Sequence, residues 1–373
     1  MKKIITKSTD AKKRPASQKK RLELTVGIDL GDKTSRYCVL DVDGSVVLER
    51  SIATTKKGLT QVFASLGASR IALEVGTHSP WVKRLLESWS HEVVVANARR
   101  VKLITESTRK DDRLDARTLA RLARVDPELL SPIRHRSEKA QAHLVTIRAR
   151  AALVETRTRL MNCMRGLTKS FGERLASCDP DQMSVKRLAS LPPALQAALQ
   201  PLVTAVESVT RQIHEYDTKL AQIARNEYPE TARLRQVTGV GELIALSYVL
   251  TLDDPKRFHR SRDVGGFLGF RPKRRDSGES RPQLRITKEG DGYLRKLLVQ
   301  GAHYILGFRG PDTDLRRWGL KLAMRGGKNA KKRAVVAVAR KLAVLLHRLW
   351  LTGQPYEPLR HSKAAESRSG LAA

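Results

Sequence analysis

At 373 residues the chain has room for two or three cores, since one domain takes roughly 100–200 residues. Lysine and arginine number 71 against 38 aspartates and glutamates, and the resulting +33 is spread along the whole length, where it repels itself unless a polyanion neutralises it. That balance points to nucleic acid rather than an anionic membrane as partner. Cys38, Cys163 and Cys178 exclude an even disulfide framework, and scattered histidines exclude a zinc site.

In chain order, residues 1–21 carry lysines and arginines without an apolar period and no signal-peptide core, so a disordered basic arm is expected there. From Leu22 to about 135 the pattern is compact α/β. Residues 24–29 read as a buried strand. Residues 36–41 and 45–52 flank Asp43-Gly44, a hairpin signal. Residues 57–66 suit a helix, 70–74 a strand, 79–90 a helix and 92–96 a strand. Three strands in a meander, then alternating helix and strand, then an acidic helix, is the order of an RNase H-like domain. In that order the first strand is central and the fourth lies beside it, which sets Asp29 and Glu74 side by side at one sheet edge. Lys110-Asp111-Asp112-Arg113-Leu114-Asp115-Ala116 opens the apolar run Leu119, Ala120, Leu122, Ala123. If helical, it places Asp112 and Asp115 on one face near the helix start.

Between 136 and 230 strand signals vanish. Leu202, Val206, Val209, Ile213, Tyr216, Leu220 and Ile223 alternate by fours and threes, a coiled-coil seam. The preceding run 142–167 is helical, apolar at Leu153, Leu160, Met164 and Leu167 among many arginines, and Leu191-Pro192-Pro193 separates the two. A helical hairpin or a dimerisation element is expected. Residues 231–353 form a mainly α C-terminal region: a Gly239-Val240-Gly241 turn before the helical run 243–252, a basic glycine-rich stretch 257–296 and a final Ala/Val/Leu helix. That helix is broken by Arg340 and Lys341, which excludes a membrane span. A polar tail is expected from 354 to 373.

The four acids, Asp29, Glu74, Asp112 and Asp115, carry the sharpest chemistry. Carboxylates sharing one cleft repel by about 4 kcal/mol per close pair at an effective dielectric near 20, so they take up protons or gather a cation. Hard oxygen ligands suit Mg²⁺ or Mn²⁺, which can hold the attacking and leaving oxygens of a phosphodiester. Taken singly, Asp112 and Asp115 are also ordinary first-turn dipole partners and Asp29 a turn former. Val26-Gly27-Ile28-Asp29-Leu30-Gly31 also looks like a sugar-kinase phosphate loop, but Asp32 and Lys33 follow it and no second glycine-rich phosphate turn comes later. Gly239 and Gly241 resemble a helix-hairpin-helix element whose backbone N–H groups approach phosphate, with a plain helix-start turn as the equal alternative. Arg271, Lys273, Arg274, Arg275, Arg281 and Lys288 form a cationic stretch around Ser277. Ser277 is either a phosphate-attacking nucleophile or a turn serine, and residue chemistry leaves both open.

As a whole the pattern resembles the DEDD-class insertion-sequence transposases, the bridge-RNA-guided recombinases. The N-terminal match runs through Gly27-Ile28-Asp29, Ala72-Leu73-Glu74-Val75-Gly76-Thr77 and Lys110 to Ala116. The C-terminal match takes Gly239-Val240-Gly241, Phe267 to Pro272, Ser277-Gly278, Ile286 to Asp291 and Tyr293 to Leu298. The resemblance implies a RuvC-like domain whose Asp29, Glu74, Asp112 and Asp115 hold Mg²⁺, and a transposase domain with Ser277 as nucleophile. It also implies a composite site across protomers of a dimer or tetramer, a structured guide RNA that selects DNA by base pairing, and a bacterial cytoplasmic, nucleoid-associated setting. The pattern departs from that family at Asp276, where a first serine is common, and at Leu284, where a glycine is common. A junction-resolving nuclease and a non-catalytic nucleic-acid binder are the alternative functions.

Overall fold

The structure is a computed structural model that describes residues 23–97, 112–282 and 284–360, the side chains of Asp112 and Arg113 excepted. The expected basic arm at 1–21 and the tail beyond 360 lie outside the described residues. The chain divides into two compact units, one ending at His135 and the other beginning at Arg136.

In the first unit, alternation in β1 (Thr25–Asp29), β2 (Thr34–Leu40) and β3 (Val46–Ala53) builds an antiparallel meander, turned at Gly44 with φ +83°. After α1 (Lys56–Phe63), β4 (Arg70–Glu74) returns parallel to β1. After α2 (Ser79–Glu87), β5 (Glu92–Ala96) adds beyond it. The strand order is β3-β2-β1-β4-β5, so β1 is central with β4 at its side, as the meander-then-alternation pattern requires. Side chains of period two sort onto two faces. Val26, Ile28, Tyr37, Val39, Ile71 and Leu73 pack under α1 and α2 through Leu59, Phe63, Val82 and Leu86.

The opposite face is made of small residues, and α3 (Asp112–Val125) lies on it through Ala116, Leu119, Ala120 and Ala123. Gly27 permits this. A Cβ there would stand 2.0 Å from the Ala116 carbonyl oxygen and 2.5 Å from the Ala120 nitrogen. The direction of α3 follows from its far end. Arg70 Nη1 donates to the Ala123 carbonyl at 3.2 Å, and the Arg124 side chain lies beside Gly44. The helix therefore runs antiparallel to β1 and β4, with its N-terminus toward their C-terminal ends.

In the second unit, α4 (Glu138–Lys169) and α5 (Pro193–Glu227) pair antiparallel. Ala140, Leu144 and Ile147 meet Leu220, Ile223 and Ala224 at one end, and Met161 and Met164 meet Leu199, Val203 and Val206 at the other. The expected 202–223 seam is thus buried within the chain. Its register also differs: Val206, Ile213, Leu220 and Ile223 are buried, but Leu202, Val209 and Tyr216 are half-buried, while Val203, Thr210 and Ala224 are buried in addition. Thr210 and Asp217 break the apolar stripe where arginines reach across, Arg157 to Thr210 Oγ1 at 3.3 Å and Arg150 to Asp217 Oδ2 at 3.0 Å. A self-association surface at 202–223 loses its basis, because the stripe already has its partner.

Beyond α6 (Glu230–Leu234), the C-terminal core joins α7 (Glu242–Leu252), α8 (Asp263–Phe267), α9 (Gly292–Leu306), α10 (Asp314–Ala323) and α11 (Ala330–Thr352). Tyr248 is fully buried and donates to the Ala343 carbonyl at 2.6 Å. The polar tail expected from 354 is docked as far as 360. The Asp314 N–H donates to the Pro358 carbonyl at 2.8 Å, and the Tyr356 N–H to Gln236 Oε1 at 3.1 Å. Among the described residues no helix is long and apolar enough to cross a membrane.

Gly27→Val should force α3 off the sheet, because the atoms it meets are backbone and cannot rotate away. Overpacking of this kind costs about 1–3 kcal/mol, several degrees in Tm for a domain of this size. Thermal unfolding followed by circular dichroism measures it, and an unchanged Tm would contradict the tight contact.

Candidate functional site

Asp29 ends β1 and Glu74 ends β4. Ile28 lies opposite Leu73 in their parallel register, so the two acids occupy the same sheet edge one residue on. Both are half-buried. The turn after Asp29 is held in place: Thr54 Oγ1 donates to the Gly31 carbonyl at 2.9 Å and shares a 2.7 Å hydrogen bond with Ser35 Oγ. After Glu74, the Val75 N–H bonds the Ala96 carbonyl at 3.0 Å, and Gly76 N–H bonds Ser79 Oγ at 3.0 Å. Both strand-end acids thus emerge from fixed backbone.

The third acid is delivered by α3. Asp115 precedes Ala116, the residue pressed on Gly27, and is itself half-buried. Burial, together with the Asp115 charge, raises the pKa of Glu74 above its ordinary value. The helix and strand acids therefore share one electrostatic environment. Asp112 stands one turn earlier on α3, at its first residue, and its side chain lies outside the described residues. Among the described residues no three Asp, Glu, His or Cys side chains are close enough to enclose a metal. Glu74 and Asp115 are the pair of hard oxygen donors whose electrostatic coupling is resolved, with Asp29 on the neighbouring strand end. Arg117 forms a two-pronged pair with Glu49, at 2.7 and 2.8 Å, further along the sheet. There burial and Glu49 push the Cys38 thiol up to about 11, which makes it an inert core residue.

In the second unit, Ser277 lies at the base of a two-residue turn. Its N–H donates to the Ser280 carbonyl at 3.1 Å, the Ser280 N–H returns a bond at 3.0 Å, and Gly278 takes φ +54°. Arg271, Lys273, Arg274, Arg275 and Arg281 are all exposed around it, as are Arg285 and Lys288. The base of this loop is tied tightly. Lys273 N–H reaches the Arg285 carbonyl at 2.9 Å and Thr287 N–H the Arg271 carbonyl at 2.8 Å. A Cβ at Gly269 would stand 2.1 Å from the Glu289 carbonyl, and one at Gly290 2.1 Å from that of Phe267. A rigid stem thus carries a cationic tip.

Gly239 and Gly241 part company. Gly239 has φ +80°, and a Cβ there would stand 2.8 Å from the Gly301 carbonyl, so packing of α7's entry on α9 accounts for it. Gly241 has open space around it and caps α7, leaving backbone accessible.

One polar cluster had no local signal. Asp291 caps α9 by accepting from Leu294 N–H at 2.8 Å, and Arg148 of α4 bonds the same carboxylate. Burial alone would raise Asp291, but the Leu294 N–H, Arg148 and Arg136 outweigh it and hold it below the usual carboxylate range. The Arg148 guanidinium also lies 4.8 Å from the Tyr293 ring centroid. This cluster fixes the start of α9 to the helical hairpin.

Comparison with known proteins adds the family. Residues 26–171 match a family of DEDD transposases of the IS110 type, and residues 231–315 match the transposase IS116/IS110/IS902 family. The transposase for insertion sequence element IS1111A of Coxiella burnetii is 30% identical over 340 residues, 89% of this chain and 90% of that protein. A probable family 20 transposase of Pseudomonas aeruginosa is 28% identical over 345 residues, 89% of this chain and 98% of its own. The transposase for insertion sequence element IS1328 of Yersinia enterocolitica is 29% identical over 285 residues, 74% and 82% of the two chains.

Because its folded-state pKa is raised, Glu74 favours the native state fully below its ordinary value of 4.5, and that advantage is lost as pH rises through its own pKa. Asp115→Asn should move the Glu74 titration down toward 4.5, read by NMR of the carboxyl carbons without added metal. A titration that stays in place would put Asp115 out of reach of Glu74.

Proposed function

Because the chain belongs to the IS110-type DEDD transposase family, whose members cleave DNA and transfer strands, we propose that it cuts and rejoins the DNA of an insertion sequence with two sets of groups. One is the acidic edge of the RuvC-like first unit, and the other is Ser277 of the second. The observation that carries this reading is the seating of α3 on Gly27, which sets Asp115 beside Glu74 at the ends of two paired strands.

Asp29, Glu74 and Asp115, with Asp112 from the same helix, are the residues to hold Mg²⁺ or Mn²⁺. Such an ion, when bound, polarises phosphoryl oxygens and offsets charge developing on the leaving oxygen. The protein's own part is to fix those carboxylates on rigid strand ends and on a helix that cannot shift against the sheet. Burial of Glu74 beside Asp115 disfavours its charged form, a cost that a bound divalent cation would offset.

Ser277 supplies the nucleophile. Its Oγ gives up a proton and forms a bond to phosphorus, the existing phosphodiester P–O bond breaks, and the displaced strand end takes a proton to leave as a hydroxyl. One phosphodiester is exchanged for another, so the reverse step rejoins strands without an external energy source. Arg274, Arg275 and Arg281 surround the turn with charge that meets phosphate oxygens, and their exposure keeps them free to follow a backbone. Support for Ser277 is its place on a two-residue turn at the tip of a stem pinned by Gly269 and Gly290.

A chain with +33 and 5% aromatic residues is built to track phosphates more than to read bases. That composition supports a structured guide RNA as a second nucleic-acid partner, with sequence choice left to base pairing.

Donor DNA incubated with the wild type and Mg²⁺ should give a covalent protein–DNA adduct that Ser277→Ala loses. Asp115→Asn should lose cleavage by a factor of 10² or more, on the order expected for a group that stabilises developing charge, while filter binding of DNA stays near the wild-type level. An undiminished adduct with Ser277→Ala would remove the serine. Cleavage retained by Asp115→Asn would remove the metal edge. Cleavage without any adduct in the wild type would favour a water-using nuclease.

A further inference from the structure

Single exposed aromatics are ordinary on protein surfaces, but Phe308 is not loosely placed. It is 89% exposed in the turn Gly307-Phe308-Arg309-Gly310 that leaves α9. Gly307 N–H donates to the Tyr304 carbonyl at 3.2 Å and Gly310 N–H to the Gly307 carbonyl at 3.1 Å. Arg316, from α10, donates to the Ile305 carbonyl at 2.6 Å and also to that of Gly307. A Cβ at Gly310 would lie 2.4 Å from the Ile305 oxygen and 2.6 Å from Arg316 Nη1, so backbone and guanidinium already fill the inside of the turn. The ring projects from a clamped backbone, with the exposed Arg309 guanidinium 5.1 Å from its centroid. Tyr304, one helical turn earlier, is 52% exposed.

We propose that Phe308, with Arg309, is a stacking element for an unpaired base of bound DNA, an assignment that rests on the reading of this chain as a DNA-cutting transposase. A base inside a duplex is stacked on both faces and has nothing to offer the ring. A base freed where strands separate has an exposed π-face, and an aromatic ring recovers that stacking while the neighbouring guanidinium meets the adjoining phosphate. Cutting and rejoining strands requires such a separated stretch. The surroundings favour a nucleobase over a protein partner. Tyr304 and Phe308 are the only exposed large hydrophobic residues between 294 and 323 among the described residues, too little for the apolar core of a protein interface. His303 and Arg309, their chain neighbours, are exposed as well.

The test uses the full-length protein, a perfect DNA duplex and the same duplex with one unpaired 2-aminopurine. Wild type should bind the second about tenfold more tightly, the worth of one stacked base, and should change the emission of the 2-aminopurine. Phe308→Ala should lose both effects and Phe308→Trp should keep them, with the loss confined to the unpaired-base duplex. If Phe308→Ala keeps the preference and the emission change, the proposal falls. It also falls if the response appears with an RNA bulge and not with DNA, or if Phe308→Ala changes the sedimenting mass while leaving the emission intact, which would make this a protein interface. Binding to the perfect duplex reports separately on the underlying reading. A wild type that retains no duplex overturns that reading, and the proposal with it.

Discussion

The bare backbone of Gly27 against Ala116 and Ala120 is the contact on which the first unit's chemistry depends. Any side chain at position 27 would occupy the space of the helix itself, 2.0 Å from a carbonyl oxygen. With no Cβ in the way, α3 lies directly on the central strand, and its direction is set by Arg70 at the far end. Asp115 is then carried toward the edge where β4 ends in Glu74, and the two carboxylates feel each other because one residue lacks a side chain. The second unit repeats the device at Gly269 and Gly290, whose backbones close on each other's loops and stiffen the stem beneath Ser277.

That arrangement carries an electrostatic cost that explains its use. Glu74 is held partly out of water next to another carboxylate, so its charged form is disfavoured, a cost that a bound cation would offset. Several acids are matched by arginines: Glu49 with Arg117, Asp217 with Arg150, Asp291 with Arg148 and Arg136. Among the described residues much of the positive charge is exposed, and one such run, Arg271, Lys273, Arg274, Arg275 and Arg281, surrounds the Ser277 turn. Acid gathered at one edge and base exposed around a loop suit a protein that handles a polyanion with the help of a metal ion.

The strand order was legible because the alternation was clean and the turn at Asp43-Gly44 unambiguous, and the strand-end acids followed from it. The role of Gly27 was not, since a glycine in a strand reads the same whether it faces solvent or a helix. The helical hairpin shows a different limit. Heptad spacing in 202–223 identified an apolar stripe but could not say that its partner was α4 of the same chain. The true stripe is shifted because Thr210 and Asp217 are buried or half-buried by arginines that a hydrophobic pattern ignores. Asp291 and Arg148 lie 143 residues apart, and no local signal links them. The segment from 354 looked like a tail because it is polar, yet its backbone bonds to Asp314 and Gln236 hold it down. Charge and backbone pairing, both invisible to periodicity, account for these differences.

Anomalous diffraction from crystals soaked in Mn²⁺ addresses the acidic edge without reference to activity. One or two manganese peaks are expected within coordination distance, about 2.0–2.6 Å, of carboxylate oxygens from Asp29, Glu74 and the α3 acids. Peaks confined to other surfaces, with Glu74 and Asp115 turned away from each other, would contradict it.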